Sequence, residues 1–179
     1  NCVEVTFDQT SNEAMKDTLT SIIKIREQFG DKCLVGAGTV MTSAQVQQAV
    51  AAGAEYIISP NVDEEVIKET KTLGKISIPG ALTPSEVALA YKYGADVVKL
   101  FPAGILGLDY IKAVKAPLKH IPLLATGGIN YENCAEFIEA GAVGVGVGGN
   151  LVSGKLVNEC RFDEIEAIAK KYIISLRGF

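Results

Sequence analysis

Seven short apolar runs alternate with helical patterns along this chain, and that alternation limits the possible folds more than any other feature. The runs are VEVTF, CLVGAG, YIISP, KISIPG, VVKLFP, PLLATGG and AVGVGVGG. The segments between them carry helix start signals. Thr10 with Glu13 and Thr42 with Gln45 have capping-box spacing, and Thr83-Pro84-Ser85-Glu86 adds proline at the first helical position. Gly30, Gly53, Gly74, Gly94 and Gly141 stand where helices should stop. Three of these glycines open the phrases GAE, GAD and GAV just before the next strand, which marks a repeated βα unit.

Strict alternation with short loops implies an α/β fold with a parallel sheet, either open and doubly wound or closed as a (β/α)8 barrel. The many Gly and Ala residues at strand ends favour the TIM-type barrel, because they let loops crowd around one mouth. Seven strands and about seven helices, the last being FDEIEAIAKKYIISLR, leave the barrel one βα unit short. The chain therefore reads as one domain over residues 1–179, holding strands 2 to 8 of a (β/α)8 barrel without its first βα unit. A length of 179 residues suits a single core.

Charge and cysteine usage exclude several classes. A net charge of -4 argues against a general nucleic-acid binder, although a local pocket for one small anion is compatible with it. No apolar run reaches transmembrane length and no signal peptide opens the chain, so no membrane role is expected. Cys2, Cys33, Cys134 and Cys160 are scattered, and the single His120 is isolated from them. No metal site is expected from such spacing.

One lysine sits inside an apolar strand. In VVKLFPAG, Lys99 shares parity with Val97 and Phe101, leaving Val98 and Leu100 for the helix layer. An ammonium in such a strand is costly to desolvate unless it is paired, snorkels to water, or is used chemically. In VEVTF, Glu4 and Thr6 share one face and Val3, Val5 and Phe7 the other, which sends Glu4 into the barrel. Glu4 and Lys99 form either a structural salt bridge or a catalytic pair.

The last two runs end alike. ATGGIN and VGVGGNL both reach Gly-Gly and then enter a helix, the arrangement by which loops after the seventh and eighth barrel strands hold phosphate. Two other glycine patterns are weaker. GNLVSGKL lacks the Ser or Thr of a Walker A loop at Leu156, and GVGVGG has the wrong spacing for a dinucleotide fingerprint.

Taken in order, EVTF, GAGTV, ISPN, IPG, KLFPA, TGGI and the final Gly-Gly resemble the 2-keto-3-deoxy-6-phosphogluconate aldolase and 4-hydroxy-2-oxoglutarate aldolase family. The resemblance runs through nearly the whole chain. It implies that Lys99 is the Schiff-base lysine and Glu4 the general acid/base. Thr39, Pro60 and Phe101 match positions lining the pyruvate pocket. Thr126, Gly127 and Gly128 match the loop near the substrate carboxylate and the phosphate entrance, and Gly148, Gly149 and Asn150 the phosphate-side loop. Asp8 stands where some members carry an arginine, which leaves the carboxylate-binding group open.

The chemistry implied is cofactor-free. A neutral lysine amine attacks the 2-keto carbon, water leaves, and the protonated imine accepts the electrons of the breaking C3–C4 bond. A free lysine has a pKa of about 10.4, so desolvation has to supply the neutral form. Glu4 would accept the C4 hydroxyl proton and return one to the enamine. The resemblance implies a lyase of the Entner–Doudoroff pathway, cytoplasmic and homotrimeric. It would convert a phosphorylated 2-keto acid to pyruvate and glyceraldehyde 3-phosphate. Two other readings fit the pattern: a phosphosugar isomerase or epimerase on the same barrel, and a non-catalytic phosphosugar-binding regulatory barrel.

Overall fold

The computed structural model describes residues 2–179. The strands fall into two four-stranded sheets, ordered β1-β2-β3-β4 and β5-β6-β7-β8. The chain gathers into two compact units, the first ending at Val98 and the second running from Lys99 to Phe179.

In the first unit, β1 (Cys2–Thr6), β2 (Leu34–Gly38), β3 (Tyr56–Ile58) and β4 (Ile76–Ile78) alternate with α1 (Asn12–Phe29), α2 (Ser43–Ala51) and α3 (Glu64–Thr72). The two-residue β5 (Gly80–Ala81) and α4 (Pro84–Lys92) follow. The first four strands pair in parallel, with Glu4 opposite Gly36, Thr6 opposite Gly38, and Gly36 opposite Tyr56. Because partners in a parallel ladder point to the same side, this register sorts the residues into two faces. Phe7, Val35, Ala37 and Ile57 join Ile22, Val46, Ala49 and Val66 from the helices in one buried cluster, with Val5 packed against it. Fully burying a side chain such as Phe7 is worth about 1.5–3 kcal/mol, which fixes the helix-facing parity of β1. Glu4 and Thr6 are left on the opposite face.

The second unit takes β6 (Val98–Leu100) from Lys99 onward. It adds α5 (Ala103–Leu106), α6 (Leu108–Lys115), β7 (Leu123–Thr126), α7 (Cys134–Glu139), β8 (Gly144–Gly146), α8 (Gly154–Asn158) and α9 (Phe162–Ser175). Leu100, Leu123 and Ala125 are buried, whereas Lys99, Leu124 and Thr126 are half-buried. β7 and β8 pair in parallel with Thr126 opposite Gly146.

The repeated Gly-Ala phrase has a common geometry. Gly53, Gly94 and Gly141 adopt φ of 107°, 106° and 110°. The alanine after each donates back into the helix just ended: Ala54 to Ala49, Ala95 to Ala90 and Ala142 to Phe137. This is the six-residue backbone closure of a Schellman stop, which needs left-handed backbone at the glycine. The next residue then bonds to an earlier strand, Glu55 to Val35 in β2, Asp96 to Ser77 in β4 and Val143 to Leu123 in β7. The repeat thus fixes the height at which each new strand joins its neighbour.

Three local expectations change. KISIPG spans two strands rather than one, because Pro79 lacks the N–H that would continue the ladder; the described residues hold eight strands instead of seven. α1 is capped by Ser11, whose hydroxyl accepts from Ala14 N, whereas Thr10 N is taken by Asp8 Oδ1. Short α5 and α8 raise the helix number above seven. The Thr83–Glu86 capping box is complete.

Candidate active site

Glycines shape the seat of Glu4. A β-carbon on Gly38 would lie 1.5 Å from Glu4 Oε1 and 2.4 Å from its carboxyl carbon, so the carboxylate occupies the space that a side chain at position 38 would fill. Two residues earlier, a β-carbon on Gly36 would lie 2.1 Å from Tyr56 Cε2. Gly36 and Gly38 therefore leave two hollows on one face of β2, one holding the Tyr56 ring and the other the Glu4 carboxylate. Thr6 Oγ1 donates to Glu4 Oε1 at 3.4 Å. Tyr56 is buried, and that burial, followed by the charges of Cys2, Glu4 and Cys33, pushes its phenol well above the ordinary value.

At the end of β2 the backbone turns at Thr39, which has a φ of 55°. Gly38 O accepts from Phe7 N and Val40 N donates to Ile58 O, so ladder bonds flank a single left-handed residue. Gln9 Nε2 donates to Thr39 O at 2.7 Å. Pro60 lies at a close backbone approach, with its carbonyl oxygen 2.4 Å from where a β-carbon on Gly80 would stand. Asp8 is exposed, and hydrogen bonds from Thr10, side chain first and backbone second, hold its carboxyl below the ordinary value.

In the second unit, Lys99 Nζ stands 5.0 Å from the centre of the Phe101 ring. Val98 and Leu100, on either side of Lys99, are fully buried, which puts the lysine on the strand face away from them. The Phe101 ring lies against the TGG loop: a β-carbon on Gly127 would meet it at 3.1 Å, and Gly127 has a φ of 89°. Gly104 N donates to Gly127 O at 2.7 Å, docking the first turn of α5 onto the loop after β7. The Phe101–Pro102 peptide within this turn is cis.

Thr126 sits beside this junction. Its Oγ1 is buried with no hydrogen-bond partner among the described residues, and it lies 2.6 Å from where a β-carbon on Gly146 would stand. A buried hydroxyl without a partner is uncommon and calls for a reason. Asn150 Nδ2 donates to Ile129 O, tying the loop after β8 to the segment after Gly128. Gly148 O accepts from Leu151 N and Val152 N, and the β-carbon positions of Gly148 and Gly149 face open space.

Every residue singled out in the sequence thus falls at a strand or at the loop after one. Within the second unit, Lys99, Phe101, Thr126 and the two Gly-Gly loops belong to one connected group. Within the first, Glu4 is seated by Gly38, while Thr39 is held by Gln9. The sequence pattern gives no sign of Tyr56, Gln9 or Gly146, and it marks Gln45 only as a helix-capping residue. The Gly-x-Gly spacing of GAG, on the parity of Glu4, is the signal that exposes the two hollows. Among the described residues, no group of His, Cys, Asp and Glu could hold a metal ion, and no helix is long and apolar enough to cross a membrane.

A family model, KDPG and KHG aldolase, matches residues 1–168. The chain belongs to this family. Its members are aldolases, which are lyases, and the fold is of their TIM-barrel class. The 2-dehydro-3-deoxy-6-phosphogalactonate aldolase of Escherichia coli (strain K12) is 38% identical over 153 residues, covering 85% of this chain and 75% of that protein. A solved structure described as native KDPGal superposes with a TM-score of 0.83 at 34% identity, over 98% of this chain and 82% of the other. A KDPG aldolase from Legionella pneumophila, solved with pyruvate captured at low pH as a covalent carbinolamine intermediate, is 28% identical. It matches with a TM-score of 0.79 over 93% of this chain and 78% of the other.

Proposed function

We propose that this KDPG/KHG-type class I aldolase cleaves 2-keto-3-deoxy-6-phosphogluconate reversibly to pyruvate and glyceraldehyde 3-phosphate, through a Schiff base on Lys99. The observation that carries the reading is the placement of Lys99. It is a lysine in the middle of an apolar strand, on the face away from buried Val98 and Leu100, with its nitrogen beside Phe101. A carbinolamine is what an amine forms on adding to a ketone. The pyruvate carbinolamine captured in the Legionella relative therefore supports an amine nucleophile in this family.

The Lys99 amine adds to C2 of the substrate, and loss of water gives the iminium ion. Glu4 takes the proton of the C4 hydroxyl as the C3–C4 bond breaks, which releases the aldehyde and leaves an enamine on Lys99. A proton returned to C3 regenerates the iminium ion, and water then frees pyruvate. Thr126 Oγ1, buried without a partner among the described residues, is assigned to the carboxylate end of the substrate. Thr39, Pro60 and Phe101 line the pyruvate portion. Gly127 and Gly128 continue the carboxylate loop, and Gly148, Gly149 and Asn150 take the phosphate. The homotrimer, the cytoplasmic location and the place in the Entner–Doudoroff pathway rest on family membership.

The galactonate epimer is the second substrate reading, favoured by the 38% identity to the E. coli phosphogalactonate enzyme. Pyruvate release from the two phosphorylated epimers and from 4-hydroxy-2-oxoglutarate, followed through coupled reduction to lactate, tests both. The gluconate epimer should give the highest kcat/KM. A preference for the galactonate epimer would replace the substrate and keep the mechanism, whereas no pyruvate from any of the three would end the proposal.

A further inference from the structure

Thr39 has an ordinary side chain in a backbone region that L residues rarely adopt, with a φ of 55°. Such residues persist where their surroundings over-determine them, and they concentrate at functional sites. Two glutamines supply those surroundings, and neither is absorbed by the reaction as described. Gln9, in the loop after β1, donates through Nε2 to Thr39 O at 2.7 Å. Its own Oε1 accepts from Gln45 Nε2 at 2.8 Å. Gln45 lies in the first turn of α2 and is 7% exposed; its Oε1 accepts from Met41 N at 2.8 Å, and its Nε2 also lies 3.5 Å from Met15 Sδ.

These bonds have one direction. Met41 N can only donate, so Gln45 must present its oxygen there and its nitrogen to Gln9. Gln9 must then present its oxygen to Gln45, which turns its own nitrogen onto the Thr39 carbonyl. A backbone N–H two residues beyond Thr39 thereby sets, through two side-chain amides, the donor that holds Thr39 itself. The loop carrying Gln9 leaves the strand that bears Glu4, and Thr39 ends the strand whose Gly38 makes room for the Glu4 carboxylate.

We propose that Gln9 and Gln45 are positioning residues for the aldolase site, an ordered amide relay that keeps Thr39 left-handed and shapes the 2-oxo acid pocket. The proposal rests on the functional reading above, in which Thr39 lines the pyruvate pocket. Neither glutamine touches substrate; each acts through Thr39. Misplacing a site group by about 1 Å can cost on the order of 100-fold in rate, so a released Thr39 carbonyl is enough for a measurable defect.

The test is borohydride trapping of pyruvate on the wild-type chain and on Q9A, Q45E and the double variant, with melting temperatures recorded alongside. Q45E keeps an acceptor for Met41 N but removes the donor to Gln9, reversing the relay without opening a cavity. Each single variant should raise the pyruvate concentration for half-maximal trapping by about tenfold, an order of magnitude below the loss cited for full misplacement. Q9A, an exposed side chain, should leave the melting temperature unchanged. The double variant should be no worse than Q45E, because one relay can be broken only once. Lower melting temperatures with unchanged half-saturation would reduce the glutamines to scaffold and overturn the proposal, as would additive effects in the double variant. A wild-type chain that traps no pyruvate would overturn the functional reading instead, so the two failures are distinct.

Discussion

Replacing Gly38 with alanine should remove catalysis while leaving the fold intact. The added β-carbon would stand 1.5 Å from Glu4 Oε1, 2.4 Å from its carboxyl carbon and 2.9 Å from its γ-carbon. Because β-carbons essentially never approach other heavy atoms within 3.0 Å, the carboxylate oxygen must withdraw by about 1.5 Å. Glu4 is exposed, so its carboxylate has solvent to move into. Gly38 is not among the positive-φ glycines, so alanine fits its backbone and should add about 0.4–1 kcal/mol by restricting the unfolded chain. Removing a positioned general base costs roughly 100- to 10,000-fold in rate. G38A should therefore lose about 100-fold or more in kcat for aldol cleavage, keep or slightly raise its midpoint in urea, and still form the pyruvate adduct on Lys99. Gly36→Ala is the matched control. Its β-carbon meets the buried Tyr56 ring at 2.1 Å, and a packed ring cannot yield as a carboxylate can, so stability should fall by about 1–3 kcal/mol. A G38A variant turning over within about threefold of wild type, where 100-fold is due, would refute the role given to Glu4.

Two further outcomes follow from local geometry. Thr126→Val removes a buried hydroxyl that has no partner among the described residues, so the unliganded chain should be as stable as wild type or up to about 1 kcal/mol more so. Its KM for the 2-keto acid should rise at least about tenfold, a hydrogen bond to a charged group being worth about 1.5–3 kcal/mol; reduced stability with unchanged KM would contradict this. The second concerns Glu86, whose carboxyl is held below its ordinary value of 4.5 by the backbone N–H groups of Thr83 and Leu82 and then the Thr83 hydroxyl. A depressed carboxylate stabilises the fold above its unfolded pKa and loses that contribution as pH falls through the folded one. Wild type should exceed E86Q by less than about 1 kcal/mol, given its exposure, with the gap constant above about pH 5 and closing towards pH 3. Urea unfolding across that range would show a pH-independent gap if the capping account were wrong.

Much of the fold is legible because helix ends are written locally. The five stop glycines all adopt positive φ, and the three Gly-Ala phrases make the same backbone closure. Parity in VEVTF and VVKLFP also reads correctly, since burial of Phe7, Val98 and Leu100 dominates the choice of face. What escapes the sequence depends on neighbours far along the chain. Tyr56 fills the hollow at Gly36 only once β2 and β3 are in register. Gln9 and Gln45 are 36 residues apart; alone, Gln9 looks like an ordinary polar loop residue and Gln45 like a helix cap. Thr39 shows no glycine to betray its left-handed backbone. Thr10 and Ser11 both offer a capping hydroxyl; Ser11 accepts from Ala14 N, while Thr10 N donates to Asp8 Oδ1.

The central claim is that the amine of Lys99 bonds covalently to a 2-oxo acid. Incubating the chain with pyruvate and sodium borohydride, then mapping the modified peptide by mass spectrometry, tests it most directly. The account predicts one reduced pyruvyl adduct, located on Lys99, with K99R unlabelled. An unmodified Lys99 at saturating pyruvate, or an adduct on another lysine that persists in K99R, would contradict it.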